Sequence, residues 1–484
     1  MPHRLPTSGR YRISNDVLIL ILENLDPTSL YRTCKFHHLR YKFELALGGM
    51  ADGALLPSKR PPALRLQVLL TYRKDWPRLN WTGEQRLKLP AAATLCNVAG
   101  DFVFYVAGQT LELMELPSTR LNRPPSQTHH LRFNTNPKPE CVAIDHAQSL
   151  IVVGHALAGP GGELGMRLKI RNLWNFDKHP RARDNYFDCL APLSAQPLEK
   201  MVMTICGNKI SISLHCPGGV VRHLLLNWQT FQAAWFEDQG LYFVKADYLL
   251  GAKTYRGRAS VHLYNVSNLG NVIIEREYEL PRHWAGANMA FAPNVSLTGD
   301  TPSPARALFY ADANTRITLI SAQQPGDANA QRQWLLINES YFRPTSRPDR
   351  QFVPWTEWCN YSIMKNVPAF PLIRDVQIVG NRILYLESDA LSGGRASENR
   401  LGLIEFPAYP DPRNASKCPS WFHIGQRSVL VPTESFKEIS SRITQGVGVD
   451  SIAATEDNIV LFLEPQHDTK TVHLMTFGVP SSSS

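Results

Sequence analysis

From residue 91 onward the apolar positions fall with a period of two. Phe102 to Val106 is a short apolar run; Leu111, Leu113 and Leu116 follow, with Glu112 and Glu115 between them, ahead of Pro117. Leu150 to Val153 is another run, and Met166, Leu168 and Ile170 alternate with Arg167, Lys169 and Arg171. Successive side chains of a strand point to opposite faces, so this alternation predicts half-buried strands. Met201 to Ile205 meets Ile210, Ile212 and Leu214 across Gly207-Asn208, and Val376 to Val379 meets Ile383 to Leu386 across Gly380-Asn381. Two such turn residues between strand-like runs mark hairpins. Ile452-Ala453-Ala454 and Ile459 to Leu463 repeat the cell around Glu456-Asp457-Asn458. Looser cells begin at Leu241 to Val244 and at Ala307 to Tyr310, and second strands recur at Val261 to Leu263, Ile317 to Ile320 and Val472 to Leu474.

About seven such cells can be counted, at irregular spacing, so they form no strict repeat. Many short hairpins without intervening helices must close on themselves, because open sheet edges invite aggregation; a propeller closes them with about four strands per blade. A sandwich would suit a shorter chain. The expected fold class is mainly β: a β-propeller of about seven irregular blades over residues 91–480. Gly159 to Gly165, Ala322 to Ala330 and Ala390 to Asn399 read as surface loops.

Ahead of residue 91 the period is helical. Ser14 is placed to cap a helix and Asp16 falls in its first turn, where the helix dipole favours a negative charge. Val17, Leu18, Ile21, Leu22 and Leu25 recur at helical spacing and Pro27 stops the run. Ile19 and Leu20 are apolar too, so this helix must be covered on every side: one face by its own domain, the other by a second protein. Tyr41 to Leu47 continues as a helix that Gly48-Gly49 ends. Pro61-Pro62 introduce a third helix with Leu66, Leu69 and Leu70 on one face, ending near Asp75-Trp76-Pro77. Trp76 and Trp81 are expected to pack where these helices meet the β domain.

The stretch Ile13-Ser14-Asn15-Asp16, Val17 to Leu22 and Leu25-Asp26-Pro27-Thr28-Ser29-Leu30 resembles an F-box, the adaptor-binding module of SCF-type ubiquitin ligases. Ile13 and Asp16 stand at the family's opening Leu and Glu positions, and Ser14 replaces its usual Pro. Glu44 to Gly53 resembles the segment that follows the F-box in basidiomycete-type F-box proteins. The sequence departs from the family after Leu30: only the ten residues Tyr31 to Arg40 precede Tyr41, with Cys34 and Phe36 as remnants of the family's next core stretch. The resemblance implies a small all-α F-box-like domain at 11–50, a helical neck at 51–90, and adaptor binding through Ile13, Val17, Leu18, Ile21, Leu22, Leu25, Pro27, Leu30 and Cys34. It implies a non-catalytic receptor that docks a Skp-type adaptor, reaches a cullin-based ligase through it, and binds a target protein on the propeller. The alternative is a propeller scaffold whose degenerate F-box has no ligase role.

Composition changes this picture little. Of the net charge of +9, the first 90 residues carry +8 (15 basic, 7 acidic), leaving the rest almost neutral. A basic head suits an acidic partner surface or nucleic acid; the adaptors that F-boxes bind are acidic as a family. Proline, about 7% of the chain, favours short strands and loops. Eight cysteines without Cys-x-x-Cys spacing read as reduced thiols of a cytoplasmic or nuclear protein. Six consecutive apolar residues are too few for a secretory core or a membrane span. The six Asn-x-Ser/Thr sequons, at Asn80, Asn265, Asn294, Asn338, Asn360 and Asn414, therefore read as turn chemistry.

No catalytic, cofactor-binding or phosphate-cradling motif is present. His37-His38 and His129-His130 lack the neighbours a metal site needs, since adjacent strand residues face opposite ways. Lys178 to Arg183, near Trp174, Phe176 and Tyr186, interleaves basic and aromatic residues as nucleic-acid binders do, but the near-neutral charge of the domain favours a solvated loop. Trp355, Trp358 and Tyr361 could cluster as a protein-binding surface, although burial is the commoner fate of such residues.

Overall fold

A computed structural model describes residues 21, 24, 37–53, 60–90, 92–158, 163–191, 198–296, 307–325, 332–343, 351–368, 372–388, 399–406, 433–439, 441–444, 447–465 and 469–478. Helix α1 (His37–Leu47), the short strand β1 (Met50–Asp52) and helix α2 (Pro62–Asp75) come first. Gly49, at φ +63°, ends α1 as the sequence predicts, and Pro62 opens α2, where a missing N–H costs nothing.

After α2 the described chain is built mainly of strands, with single helical turns at Trp355–Trp358 and Ser441–Thr444. β2 (Gly83–Leu89) precedes a first sheet of β3 (Ala93–Ala99), β4 (Phe102–Ala107), β5 (Thr110–Glu115) and β6 (His130–Asn134). The second sheet holds β7 (Cys141–Asp145), β8 (Leu150–Ala158), β9 (Leu164–Asn172) and β10 (Tyr186–Leu190); the third holds β11 (Lys200–Cys206), β12 (Lys209–Cys216), β13 (Val220–Asn227) and β14 (Ala233–Phe236). The fourth comprises β15 (Gly240–Lys245), β16 (Tyr248–Tyr255), β17 (Arg258–Asn265) and β18 (Ile273–Glu279). β19 (Asn288–Phe291) opens the fifth, and β20 (Phe309–Ala311) lies outside it. β21 (Ile317–Gln323) and β22 (Arg332–Asn338) continue that sheet, β23 (Phe352–Val353) again lies outside, and β24 (Ser362–Val367) completes it. The sixth is β25 (Leu372–Val379), β26 (Arg382–Ser388), β27 (Asn399–Glu405) and β28 (Thr433–Glu438). The last contains β29 (Val449–Ala454), β30 (Asn458–Leu463) and β31 (Lys470–Thr476), and its fourth strand is β2.

Seven antiparallel sheets in chain order, with the last completed from the N-terminal side, form a seven-bladed β-propeller. The apolar packing shows the same ring. Seven buried clusters among the described residues fill the seven junctions between neighbouring blades, including one that joins Val460, Phe462 and Leu474 of blade VII to Val103 and Tyr105 of blade I. The second strand of each blade is covered on both faces. That is why β4, β8, β26 and β30 appear in the sequence as unbroken apolar runs, whereas the outer β10 and β28 alternate exposed and half-buried positions.

Three expectations change. Val261 to Leu263 and Val472 to Leu474, expected as second strands, lie in the third strands β17 and β31. Residues 83–89, expected to belong to the helical neck, pair along their whole length with β31 from Gly83↔Thr476 to Leu89↔Lys470. Ala307 to Tyr310 is not the first half of a hairpin with Ile317 to Ile320. Its strand β20 leaves the blade and pairs with β1, and the inner strand of blade V is β19 instead. β23 likewise reaches back from blade V to add a parallel fifth strand beside β18, covering an edge. The turn reading of the sequons holds at Asn265, Asn294 and Asn338, whose side chains each accept the N–H of the serine two residues on. Trp358 is buried against Tyr278 and Phe342 and donates to the Glu279 carbonyl, while Trp355 and Tyr361 are half-buried and pack against the same core.

Blades III and IV share a buried polar joint. Ser213 Oγ donates to His223 Nδ1 at 2.7 Å, His223 Nε2 donates to the Asp238 carbonyl at 3.0 Å, and the Tyr264 hydroxyl lies 3.1 Å from Asp238 Oδ1. Gly251 leaves room for it: a Cβ there would stand 2.4 Å from Asp238 Oδ1. Burial pushes His223 down to about 4 and Asp238 up to about 6, the latter partly offset by the Tyr264 hydrogen bond and Lys253.

This architecture has two testable outcomes. A chain beginning at residue 91 lacks β2 and exposes the edge of β31, so it should be recovered largely as aggregate, whereas one beginning at residue 37, which keeps β1 on β20 and β2 on β31, should elute as a monomer in size-exclusion chromatography. The second concerns pH. Between the unfolded Asp value of 3.8 and its folded value of about 6, the native chain binds the extra proton, so this carboxylate destabilises the fold above pH 6 and the penalty fades on acidification. Asp238→Asn should therefore raise the thermal midpoint at pH 8 relative to the parent and raise it less at pH 5; equal shifts at both pH values would remove the carboxylate from the account.

Candidate functional site

Ile13, Val17, Leu18, Leu22, Leu25, Pro27, Leu30 and Cys34, the residues expected to bind an adaptor, lie outside the described residues. Ile21 is helical and 44% exposed. The unit of α1, β1 and α2 comes next along the chain, and its seating decides how anything attached ahead of it is carried.

That unit rests on the propeller face formed by the turns between first and second strands and between third and fourth strands. β1 pairs antiparallel with β20, Met50 opposite Ala311, and the Tyr41 hydroxyl donates to the Leu308 carbonyl at 2.8 Å. Arg65, almost fully buried, bridges to Asp52 at 2.9 Å and fixes β1 against α2. At the end of α2, Tyr72 and Trp76 both donate to the carbonyl of Glu456, in the β29–β30 turn. The Trp76 ring stacks on Phe477, centroids 4.1 Å apart and planes 14° apart. The Arg382 guanidinium stands 5.4 Å from the centroids of both Tyr72 and Trp76, with its Nε on Glu405 at 2.8 Å. Lys437 of β28 donates to the Leu79 carbonyl and covers the Trp81 ring at 3.8 Å. The expectation that both tryptophans lie where helices meet the β domain is met.

A buried ion cluster reinforces the seat. Arg120, from the β5–β6 loop, holds Asp457 through Nε and Nη2, reaches Glu456 at 3.0 Å, and donates Nη1 to the Phe309 carbonyl at 3.1 Å. One side chain thus ties blade I, blade VII and the β20 insert together. Burial raises the Glu456 carboxyl, only partly offset by Arg120. Burial alone would lower Arg120, but Asp457 and Glu456 outweigh it and keep the guanidinium charged. Removing one partner from such a cluster strands an uncompensated buried charge, at about 3–5 kcal/mol.

The contacts of α1, β1 and α2 fall on the β20 insert of blade V and on blades VI and VII. On the same face, in blade II, Trp174, Lys178, Arg181 and Arg183 are exposed. The β9–β10 loop there is held by a neutral His179, whose Nε2 donates to the Gln148 carbonyl at 3.1 Å and whose Nδ1 accepts the Arg181 N–H at 3.2 Å. Burial lowers this histidine, which keeps it in that tautomeric role. Trp174, 38% exposed, stands at the loop's other end against the rings of His129 and His146. His129 in turn meets Glu115 at 2.6 Å, and His130 meets Glu112 at 3.0 Å: each histidine has its own carboxylate rather than a shared ion. Among the described residues no group of three or more His, Cys, Asp or Glu side chains is placed to hold a metal.

The innermost strands carry three carboxylates among the described residues, Asp145, Asp375 and Asp450. Asp145 accepts the Gln148 N–H and Asp375 accepts the Ile452 N–H, so two of them close turns or brace neighbouring strands. Burial and the neighbouring Asp450 raise the Asp375 carboxyl, partly offset by the Ile452 N–H, Arg374 and Lys200. No helix among the described residues is long and apolar enough to cross a membrane.

Trp76→Ala should cost about 3–5 kcal/mol in denaturant unfolding, the range for emptying a fully buried aromatic site. A loss under about 1 kcal/mol, the range of surface substitutions, would show that the helical unit is not welded to blade VII.

No family model matches the chain, and no curated protein matches it. Among solved structures it is similar to the WD40 domain of SCAP from fission yeast, at 9% identity and a TM-score of 0.38, over 81% of this chain and 86% of that one. So distant a likeness decides nothing about activity. The strand order and the seven inter-blade clusters establish the chain as a seven-bladed β-propeller carrying a welded helical unit.

Proposed function

We propose that the protein is a non-catalytic receptor subunit of an SCF-type ubiquitin ligase, whose N-terminal segment docks a Skp-type adaptor and whose propeller holds a target protein. The observation that carries this reading is the seat of α1, β1 and α2. The described chain that follows the F-box-like residues 13–30, from His37 onward, is a unit with one continuous core into blades VI and VII. A receptor that only holds an acceptor lysine near a charged enzyme works by raising effective concentration, and a stiff arm loses less of that gain to motion. Supporting it are the exposed Ile21 and the basic charge of the first 90 residues. Residence in cytoplasm or nucleus belongs to the same reading.

The second reading, a propeller scaffold with a degenerate F-box, is favoured by one feature. α1 begins at His37, a few residues past Leu30, and its Tyr41 and Leu45 are already committed to the core shared with the propeller. The double variant Ile21→Glu, Leu25→Glu separates the two. It should abolish adaptor co-purification while leaving the thermal midpoint of the propeller unchanged, and adaptor retained by that variant would refute the ligase reading.

A further inference from the structure

The half of the propeller face away from the helical unit carries four cations that no carboxylate among the described residues pairs with. Arg171, Lys178, Arg181 and Arg183 cluster at and beside the β9–β10 loop, and their partners are neutral. Arg171 bonds the Asn185 side chain at 3.1 Å, and Lys178 donates to the Arg183 carbonyl at 3.1 Å. Arg181 bonds the Gln148 side chain at 2.7 Å with its guanidinium 5.3 Å from the Trp228 ring centroid, and Arg183 donates to the Thr230 carbonyl at 3.1 Å. Among the described residues none of the four forms an ion pair. The three on the loop are exposed, and Arg171 keeps a buried Nε without a partner. Elsewhere on the molecule Arg65, Arg120, Arg123, Arg167, Arg382 and Arg400 each meet a carboxylate. The His179 bonds fix the loop's backbone, so ordering it on binding costs little.

We infer that this loop, with Trp174 beside it, is the docking surface for an acidic segment of a protein partner. Guanidinium groups held by neutral acceptors keep N–H donors and full charge for carboxylates, where charge-assisted bonds are strong. An exposed tryptophan supplies the apolar anchor that protein interfaces favour. A nucleic acid fits less well: Asp177 and Asp184 are exposed on the same loop, and an evenly charged phosphate backbone would have to pass both, whereas a peptide can place its acids selectively. The position matters as much as the charge. The surface lies on the face that carries the helical unit, beside it, on blades II and III. This deepens the receptor reading and rests on it only for calling the partner a ligase target.

The experiment uses the full chain and a fluorescein-labelled all-glutamate peptide, with a thymidine oligonucleotide of equal charge as competitor, read by fluorescence anisotropy. Arg181→Gln with Arg183→Gln should weaken the peptide about tenfold or more. The pair Arg181→Lys with Arg183→Lys should restore most of the binding, and Arg258→Glu, on the opposite face, should leave it unchanged. Peptide bound equally by the parent and the glutamine pair, or not bound by the parent at all, overturns the inference. An oligonucleotide that binds more tightly than the peptide overturns it in favour of nucleic acid. Adaptor co-purification, measured on the same preparations, keeps the two readings apart: peptide binding without adaptor sinks the ligase role and leaves the docking surface standing.

Discussion

The fold depends on one pairing, that of β2 with β31. A propeller is a ring of sheets, each too small to bury its own apolar surface, and a ring with a gap leaves two blades half uncovered. Here the gap is closed by a strand from the other end of the chain. The pairing runs from Gly83 to Leu89 against Thr476 to Lys470, and behind it Val460, Phe462, Val472 and Leu474 pack on Val103 and Tyr105. Closure therefore couples the start of the β region to its end, and α2, only a few residues upstream of β2, is drawn onto the ring with it.

That geometry explains the seat of the helices. β2 leaves the chain at the rim of blade VII, so α2 arrives beside the β29–β30 turn, where the Glu456 carbonyl accepts from both Tyr72 and Trp76. A carbonyl with two lone pairs can serve both donors without leaving either buried group unpaired. The β20 insert rises from blade V to complete β1, and Arg120 joins the insert to blades I and VII. The helical unit is thus part of the same cooperative core as two blades. It occupies one half of a face, while the other half presents Trp174 and the cations of the β9–β10 loop.

Much of the fold was legible because the second strands, buried on both sides, leave unbroken apolar runs, and because Gly207-Asn208 and Gly380-Asn381 mark their turns. The outer and inner strands were harder: β3, β7 and β19 are short and mixed in composition, and nothing local separates them from loops. The swap at Ala307 to Tyr310 shows the limit. Phe309 and Ala311 are as strand-like as any inner strand, and only the arrival of β1 at the same place decides which partner they take. The cations of 178–183 were visible as a cluster, but their lack of carboxylate partners was not.

The sequence by itself determined the β-rich class, the helices ending at Gly48-Gly49 and Asp75, and the approximate number of hairpins, because turn chemistry and side-chain period act over a few residues. The tertiary structure alone decided the ring's closure by 83–89, the welding of α2 to blade VII, and which charges are cancelled. Those depend on contacts between residues hundreds of positions apart, such as Tyr72 with Glu456 and Arg120 with Asp457, which no local pattern records.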